Sequence, residues 1–204
     1  MDVKFRFAVP DDAKALLDIY APYVENTTVS FEYDVPTVAE FRRRICEFSA
    51  EFPYIVCILE NEIVGYAYAH RYKTRHAYRF AAELSIYMKQ TAAHRGLGKS
   101  LYGALISMLR EMGYKNLYGI VTVPNPASFR LHTKMGFTEA GREHRVGYKF
   151  GKWIDTVLFE LCIGERNDSL VPCEWTVCPK TVGELGMRVH EILREYEKSA
   201  SSVI

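Results

Sequence analysis

The sequence predicts one α/β domain of the mixed (α+β) kind: a mixed central β-sheet flanked by helices, with an extra helical extension at its C-terminal end. Three observations carry this. The hydrophobic period switches between 2 and 3.6 residues in the order β-α-α-β-β-β-α-β-α-β-β, so strands and helices interleave without the strict alternation of an all-parallel sheet. Some neighbouring strands are joined by tight turns and others through helices. The 204 residues, 49% apolar and 25% charged, suffice for one core and a modest appendage.

Val3 to Val9 reads as a strand, with Val3, Phe5 and Phe7 alternating against Lys4 and Arg6. Pro10-Asp11-Asp12 stops it and signals a helix over Ala13 to Val24, where Ala13, Leu16, Leu17 and Tyr20 recur. Asn26 to Glu32 has no helical period and predicts an extended loop. Thr37 caps a second helix, with Glu40 as its capping-box partner, running to about Ala50. The basic run Arg42-Arg43-Arg44 falls on this helix and reads as a solvated face.

Tyr54 to Leu59 and Ile63 to His70 predict a hairpin across Glu60-Asn61-Glu62. Arg71 to Arg79 is a loop or ragged strand, and Ala82 to Met88 the next strand. Gln90 to Lys99 is a loop. Ser100 to Met112 is an amphipathic helix with Leu101, Leu105 and Leu109 on one face, ended by Gly113. A strand (Leu117 to Val123), a loop (Pro124-Asn125-Pro126) and a helix closed by Gly136 (Ala127 to Met135) follow. Two last strands, Glu139 to Tyr148 and Trp153 to Leu161, flank a turn containing Gly151, with Trp153 read as a core anchor of the hairpin or else a pocket-lining residue. The character changes after Gly164, which divides the chain into a domain (1–164) and an extension (165–204). In the extension, 165–181 is loop-like and Val182 to Lys198 is one amphipathic helix, fraying after Ser199.

The net charge of +1 supplies no global field toward nucleic acid or membrane. The cysteines (46, 57, 162, 173 and 178) are odd in number, with no CxxC pair and no zinc-like His spacing, so reduced thiols and no metal are expected. Charges occupy the start, where a signal peptide needs an apolar run, and no stretch approaches ~18 apolar residues. A cytoplasmic protein with a small-molecule partner is expected.

The most informative segment is strand, Gly-rich loop, helix: Leu84 to Met88, then Ala93-His94-Arg95-Gly96-Leu97-Gly98-Lys99-Ser100. Glycines let backbone approach a ligand, and a helix N-terminus offers free N–H groups and a positive dipole end, so the segment suits a pyrophosphate. Three readings fit the loop alone. Gly98-Lys99-Ser100 ends like a P-loop, but Ala93 stands at that motif's first glycine and no later apolar strand ends in an Asp placed to hold magnesium. The glycines are also compatible with a merely structural helix start. Third, Ala93 to Gly98 resembles the acetyl-CoA loop of the GNAT acetyltransferase superfamily, [Q/R]-x-x-G-x-[G/A], with Ala93 departing at its first position.

Asn125 to Phe137, an Asn at a helix start and Gly136-Phe137 at its end, resembles the later GNAT motif. Thr28 to Glu32, Arg75 to Arg79 with Ala82 to Met88, and Gly147 to Asp155 are similar to the phosphinothricin acetyltransferase-like branch, over about residues 3–162. The resemblance implies the GNAT fold, acetyl-CoA as donor, a homodimer, and acceptors that are α-amines of small amino acid analogues such as phosphinothricin and methionine sulfoximine or sulfone. It implies cofactor contacts from the backbone of Ile86, Tyr87 and Met88, from His94, Arg95, Gly96, Leu97, Gly98 and Lys99, and from the Asn125 side chain. It also implies Glu83 as general base.

The chemistry asks for the same parts. An attacking amine must be neutral, an oxyanion needs a backbone N–H, and the leaving thiolate takes a proton. His132 stands seven residues after Asn125, where many members carry a Tyr general acid, so it is the candidate acid or else a packed helix histidine. An acceptor carboxylate wants a cation: Lys73 and Arg75 are candidates, with Phe31, Glu32 and Tyr78 shaping the pocket. Tyr72-Lys73 replaces the branch's common aromatic-Arg pair. Glu83 could instead be a strand carboxylate paired with Arg79 or Lys73. A non-catalytic acetyl-CoA-binding module and a protein acetyltransferase are the alternative functions.

Overall fold

The computed structural model describes residues 2–92, 95–165 and 178–202. Seven strands, β1 (Val3–Phe7), β2 (Tyr54–Leu59), β3 (Glu62–Arg71), β4 (Ala81–Met88), β5 (Asn116–Val123), β6 (Thr138–Lys149) and β7 (Lys152–Cys162), form one sheet in the order β1-β2-β3-β4-β5-β7-β6. The helices are α1 (Ala13–Asn26), α2 (Val38–Ser49), α3 (Leu97–Met112), α4 (Pro126–Lys134) and α5 (Arg188–Ser201). Every neighbouring pair is antiparallel except β4 and β5, which are joined by the α3 crossover and run parallel. The predicted order of elements and the mixed sheet are both present.

Alternation along the strands gives the sheet two apolar faces. On one, Ile55, Cys57, Ala67, Ala69, Ala82 and Leu84 meet α3, whose Leu101, Leu105 and Leu109 are fully buried. On the other, Tyr54, Val56 and Tyr66 meet Leu16, Ile19 and Tyr20 of α1 and Phe41 and Ile45 of α2.

Local details differ from expectation for identifiable reasons. α3 starts at Leu97, three residues early, because Gly96 takes φ 74° as its N-cap and frees the next residues to enter the helix. The α2 capping box is half formed: Thr37 Oγ1 accepts from Glu40 N at 3.1 Å, but the Glu40 carboxylate turns to Arg43 and Arg44. Arg42 and Arg43 are exposed as expected of a solvated face, and with Arg44 they also form surface ion pairs to Asp11, Glu47, Glu40 and Glu32. Trp153 is 62% exposed and anchors no core. The C-terminal helix is broken at Gly186 (φ 53°, ψ −128°), so a 3₁₀ turn (Gly183–Leu185) precedes α5, which continues to Ser201. Of the predicted 165–181 loop, residues 166–177 lie outside the described residues.

α5 belongs to the domain core. Val189, Ile192, Leu193 and Ala200 are buried with α3. Glu197 Oε1 accepts the Phe5 N–H at 2.7 Å, satisfying a donor on the open edge of β1. Tyr196 lies against Gly103, where a Cβ would stand 2.4 Å from its ring, and its hydroxyl meets Ser107 Oγ at 2.9 Å. Ile192 is 1% exposed, so Ile192→Ala is expected to cost about 2–4 kcal/mol in urea unfolding with the denaturant slope unchanged. A loss under about 0.5 kcal/mol would show that α5 is not integral to the core.

Candidate active site

The site begins where the sheet comes apart. The parallel ladder of β4 and β5 holds only Ala81↔Asn116, Ala82↔Leu117 and Glu83↔Tyr118, although both strands continue for five more residues. β4 stays paired with β3 up to Met88, and β5 with β7 up to Val123, so the two halves splay beyond Glu83. Backbone alternation then says which groups face the gap. Phe80 O accepts from Asn116 N on the β5 side, whereas Lys89 N donates to Val64 O on the β3 side. Even-numbered residues of β4 therefore turn their N–H and C=O toward the gap, so those of Ile86 point into it. Met88 O accepts from the Tyr23 hydroxyl at 2.6 Å.

A cleft of about 310 Å³ follows the gap to the start of α3, lined by Ile86, Met88, Gly96, Gly98, Lys99 and Asn125 among others. The amides of the first turn of α3 point out of its N-terminus, where the helix dipole adds partial positive charge. A Cβ on Gly98 would make only ordinary contacts, 3.7 Å from Met88 and 3.8 Å from Ile86. The protein's own packing thus tolerates a side chain there, and glycine leaves the backbone bare to the cleft. Arg95 and Lys99 are exposed beside it, Leu97 is buried under it, and His94 lies outside the described residues. Asn125 caps α4, Oδ1 accepting from Ser128 N at 3.1 Å, which leaves its NH₂ as the donor at the cleft.

Beside the cleft lies a cavity of about 60 Å³ between the splayed strands, lined by Ser85, Ile86, Tyr102, Thr122, Ser128 and His132 among others. His132 is 3% exposed. Its Nδ1 is 2.9 Å from Ser128 O, an acceptor only, so Nδ1 carries the proton. Burial holds the pKa of the ring below the usual histidine value, against the Ser128 bond. Neutral His132 therefore presents Nε2 as an acceptor to the Tyr102 hydroxyl at 3.2 Å, while its ring stacks on Phe159 at 5.0 Å. The pair Tyr102–His132, not His132 alone, faces the cavity.

Glu83 occupies the last rung of the parallel ladder, its side chain 19% exposed. Its cross-strand neighbour is His70, whose Nε2 lies 3.8 Å from Glu83 Oε1, and neither Arg79 nor Lys73 forms a described ion pair with it. His70 Nδ1 donates to Arg71 O at 3.1 Å, and the ring stacks on Phe48. Burial raises the Glu83 pKa above the usual carboxylate range, and His70 when charged pulls it back.

The five candidate acceptor residues fall into two groups. Phe31 and Glu32 follow Val29, which lines both the cleft and the cavity. A Cβ on Gly147 would stand 2.3 Å from the Phe31 ring, so that ring packs directly on the β6 backbone. Glu32 Oε1 pairs with Arg44 at 2.7 Å, while Oε2 is buried without a hydrogen-bond partner among the described residues. Lys73, Arg75 and Tyr78 instead line a separate cavity of about 290 Å³ with Arg71, Tyr114 and Lys180. There Lys73 Nζ lies 4.9 Å from the Tyr72 and Tyr78 ring centroids. None of the cavities described among these residues is lined by both groups.

Sequence reasoning missed His70, Tyr102, Thr122 and Lys149. The first three carry no local motif; strand register sets His70 opposite Glu83, and strand and helix packing bring Tyr102 and Thr122 to the gap. Lys149 looks like a turn lysine, yet it is 2% exposed, and its ammonium donates to Val24 O, Thr27 O and Ser30 O at 2.7, 3.0 and 2.7 Å. It holds the loop that carries Phe31 and Glu32.

The acetyltransferase (GNAT) domain model matches residues 5–158. The chain is 40% identical over 162 residues to a phosphinothricin N-acetyltransferase of Alcaligenes faecalis, covering 78% of this chain and 82% of that protein. It is 28% identical over 165 residues to an L-methionine sulfoximine/L-methionine sulfone acetyltransferase of Salmonella typhimurium, covering 79% and 95%. A GNAT superfamily phosphinothricin acetyltransferase of Sinorhizobium meliloti, solved in complex with acetyl-CoA, superposes with a TM-score of 0.78 at 30% identity, covering 84% of this chain and 97% of that one.

Proposed function

The chain belongs to the GNAT acetyltransferase family and is an acetyl-CoA-dependent N-acetyltransferase; from that premise we propose that it acetylates the α-amine of a small amino-acid-like acceptor of the phosphinothricin or methionine sulfoximine and sulfone type, with Glu83 as general base. One observation carries the base assignment: Glu83 is a largely buried carboxylate at the point where β4 and β5 part, next to the gap that leads to the start of α3. The relatives' acceptors support the substrate class.

The residues present fit acetyl-CoA. The bare backbone at Gly98 and the first-turn amides of α3, with Arg95 and Lys99 beside them, suit a pyrophosphate. The Ile86 backbone and the Asn125 amide suit an amide-bearing chain lying in the gap. Bound there, acetyl-CoA supplies the thioester carbonyl that the amine attacks. Glu83, kept protonatable by burial, accepts the amine proton directly or through a water. The Tyr102–His132 pair lines the cavity as the source of the leaving sulfur's proton, which requires the Tyr102 O–H to turn from His132 Nε2 toward the sulfur. Phe31 and Glu32 form the acceptor's near wall, and Lys73, Arg75 and Tyr78 are the cationic and aromatic groups available to its carboxylate if their loop closes toward Glu83.

The homodimer is part of the same reading. Among the described residues β6 pairs with β7 alone, and Val146, Tyr148, Phe150 and Trp153 on this hairpin are 51%, 49%, 55% and 62% exposed. The four described cysteines are free thiols, which supports a reducing, cytoplasmic setting.

Thiol release from acetyl-CoA against phosphinothricin, methionine sulfoximine, methionine sulfone and polyamines tests the reading. Turnover is expected with the amino acid analogues. Turnover with polyamines alone, or acetyl-CoA binding without turnover of any amine, would overturn the acceptor class.

A further inference from the structure

Thr122 presents an unexplained hydroxyl. It lies on β5, 6% exposed, at the wall of the cavity between the splayed strands. Its Oγ1 is buried and has no hydrogen-bond partner among the described residues; the only other such side-chain atom there is Glu32 Oε2. Its cross-strand neighbour Thr156, by contrast, donates to Glu143 at 2.8 Å. A buried hydroxyl left unpaired forfeits its hydration without compensation, and a strand position this well packed suits valine equally. A threonine is therefore costly here unless something else enters the gap and pairs with it.

Position says what enters. Thr122 is four residues beyond Tyr118, the last β5 residue paired to β4, which puts it about 13 Å along the strand from the Glu83 rung. Its cavity is shared with Ile86, Asn125 and Ser128, which also line the cleft running to the start of α3. That level lies between the acceptor end and the phosphate end, the stretch that an extended pantetheine arm with its two amides has to cross.

Building on the acetyl-CoA reading above, we propose that the Thr122 hydroxyl is a cofactor-binding group that hydrogen-bonds an amide of the pantetheine arm. An amide of the arm would supply the partner that the described residues do not give this hydroxyl.

The test is Thr122→Val beside Thr122→Ser, read by calorimetric titration with CoA and with acetyl-CoA and by thermal unfolding of the ligand-free protein. Valine is expected to weaken both ligands equally, by about 3- to 10-fold, and to leave the ligand-free melting temperature unchanged or raised. Serine is expected to bind within about twofold of wild type. A merely structural threonine would show the reverse: unchanged affinity and a lowered melting temperature in the valine variant. Unchanged affinity for both ligands overturns the proposal, as does weakening confined to acetyl-CoA, which would put the hydroxyl on the acyl group rather than the arm. Wild-type binding of CoA is the control that separates failure of this inference from failure of the cleft assignment.

Discussion

Glu83→Gln is expected to lower kcat/KM by about 10²- to 10⁴-fold near neutral pH, the range for loss of a positioned general base. The pH dependence identifies the cause. Burial raises the Glu83 pKa, so in the wild type the rate falls as pH drops through that raised value and the carboxylate becomes protonated. In the glutamine variant this limb disappears, leaving a residual rate that climbs with pH as the acceptor amine itself loses its proton. Stability moves the other way. A carboxyl whose folded pKa is raised stabilises the fold below its unfolded pKa, and that stability is lost as pH rises through the folded pKa. Near neutral pH the carboxylate is thus a net cost, and the neutral amide should leave the melting temperature equal or higher. A variant with near-normal turnover and an intact acid limb would dismiss Glu83 as the base. A variant that loses activity together with its melting temperature would indicate misfolding instead.

Lys149→Met is expected to cost roughly 3 kcal/mol in urea unfolding, because it removes a buried cation that satisfies three carbonyls and leaves them facing an apolar side chain. Val24 and Thr27 end α1, where the helix dipole favours a positive charge, so the position resists neutral replacement. Burial lowers the Lys149 pKa and Glu32 opposes that shift. Lys149→Arg should rescue poorly, since a planar fork does not match three carbonyls arranged around a compact ammonium. The loss should reach function through the 27–32 loop: the acceptor KM should rise with smaller change in the KM for acetyl-CoA. A stability loss under about 0.5 kcal/mol would show that the ammonium does not anchor the loop.

Elements with strong period and sharp punctuation were legible in the sequence. Leu101, Leu105 and Leu109 announce α3, Gly113 ends it, and Thr37 starts α2, because these signals act within one or two helical turns. The Gly-rich start of α3 and the Asn125 cap of α4, the proposed cofactor side of the site, were legible for the same reason: they are local devices whose backbone geometry is written in neighbouring residues. Glu83 could be nominated as base from the resemblance, but its partner could not. His70 stands opposite it only through the β3–β4 register, and no local signal reports a cross-strand neighbour.

What the sequence determined by itself is the order of elements, the mixed sheet and the family of the chain, since hydrophobic periods, caps and glycines act over a few residues. What only the tertiary structure decided is how distant residues meet. The splay beyond Glu83 opens a cavity onto Thr122 and Tyr102. The Lys149 ammonium crosses more than a hundred residues of chain to tie the 27–30 carbonyls. The C-terminal segment breaks at Gly186, and α5 beyond it docks on α3. Burial, ion pairing and the protonation of His132 and Glu83 follow from those encounters, because desolvation depends on what surrounds a group in space and not on what adjoins it in the chain.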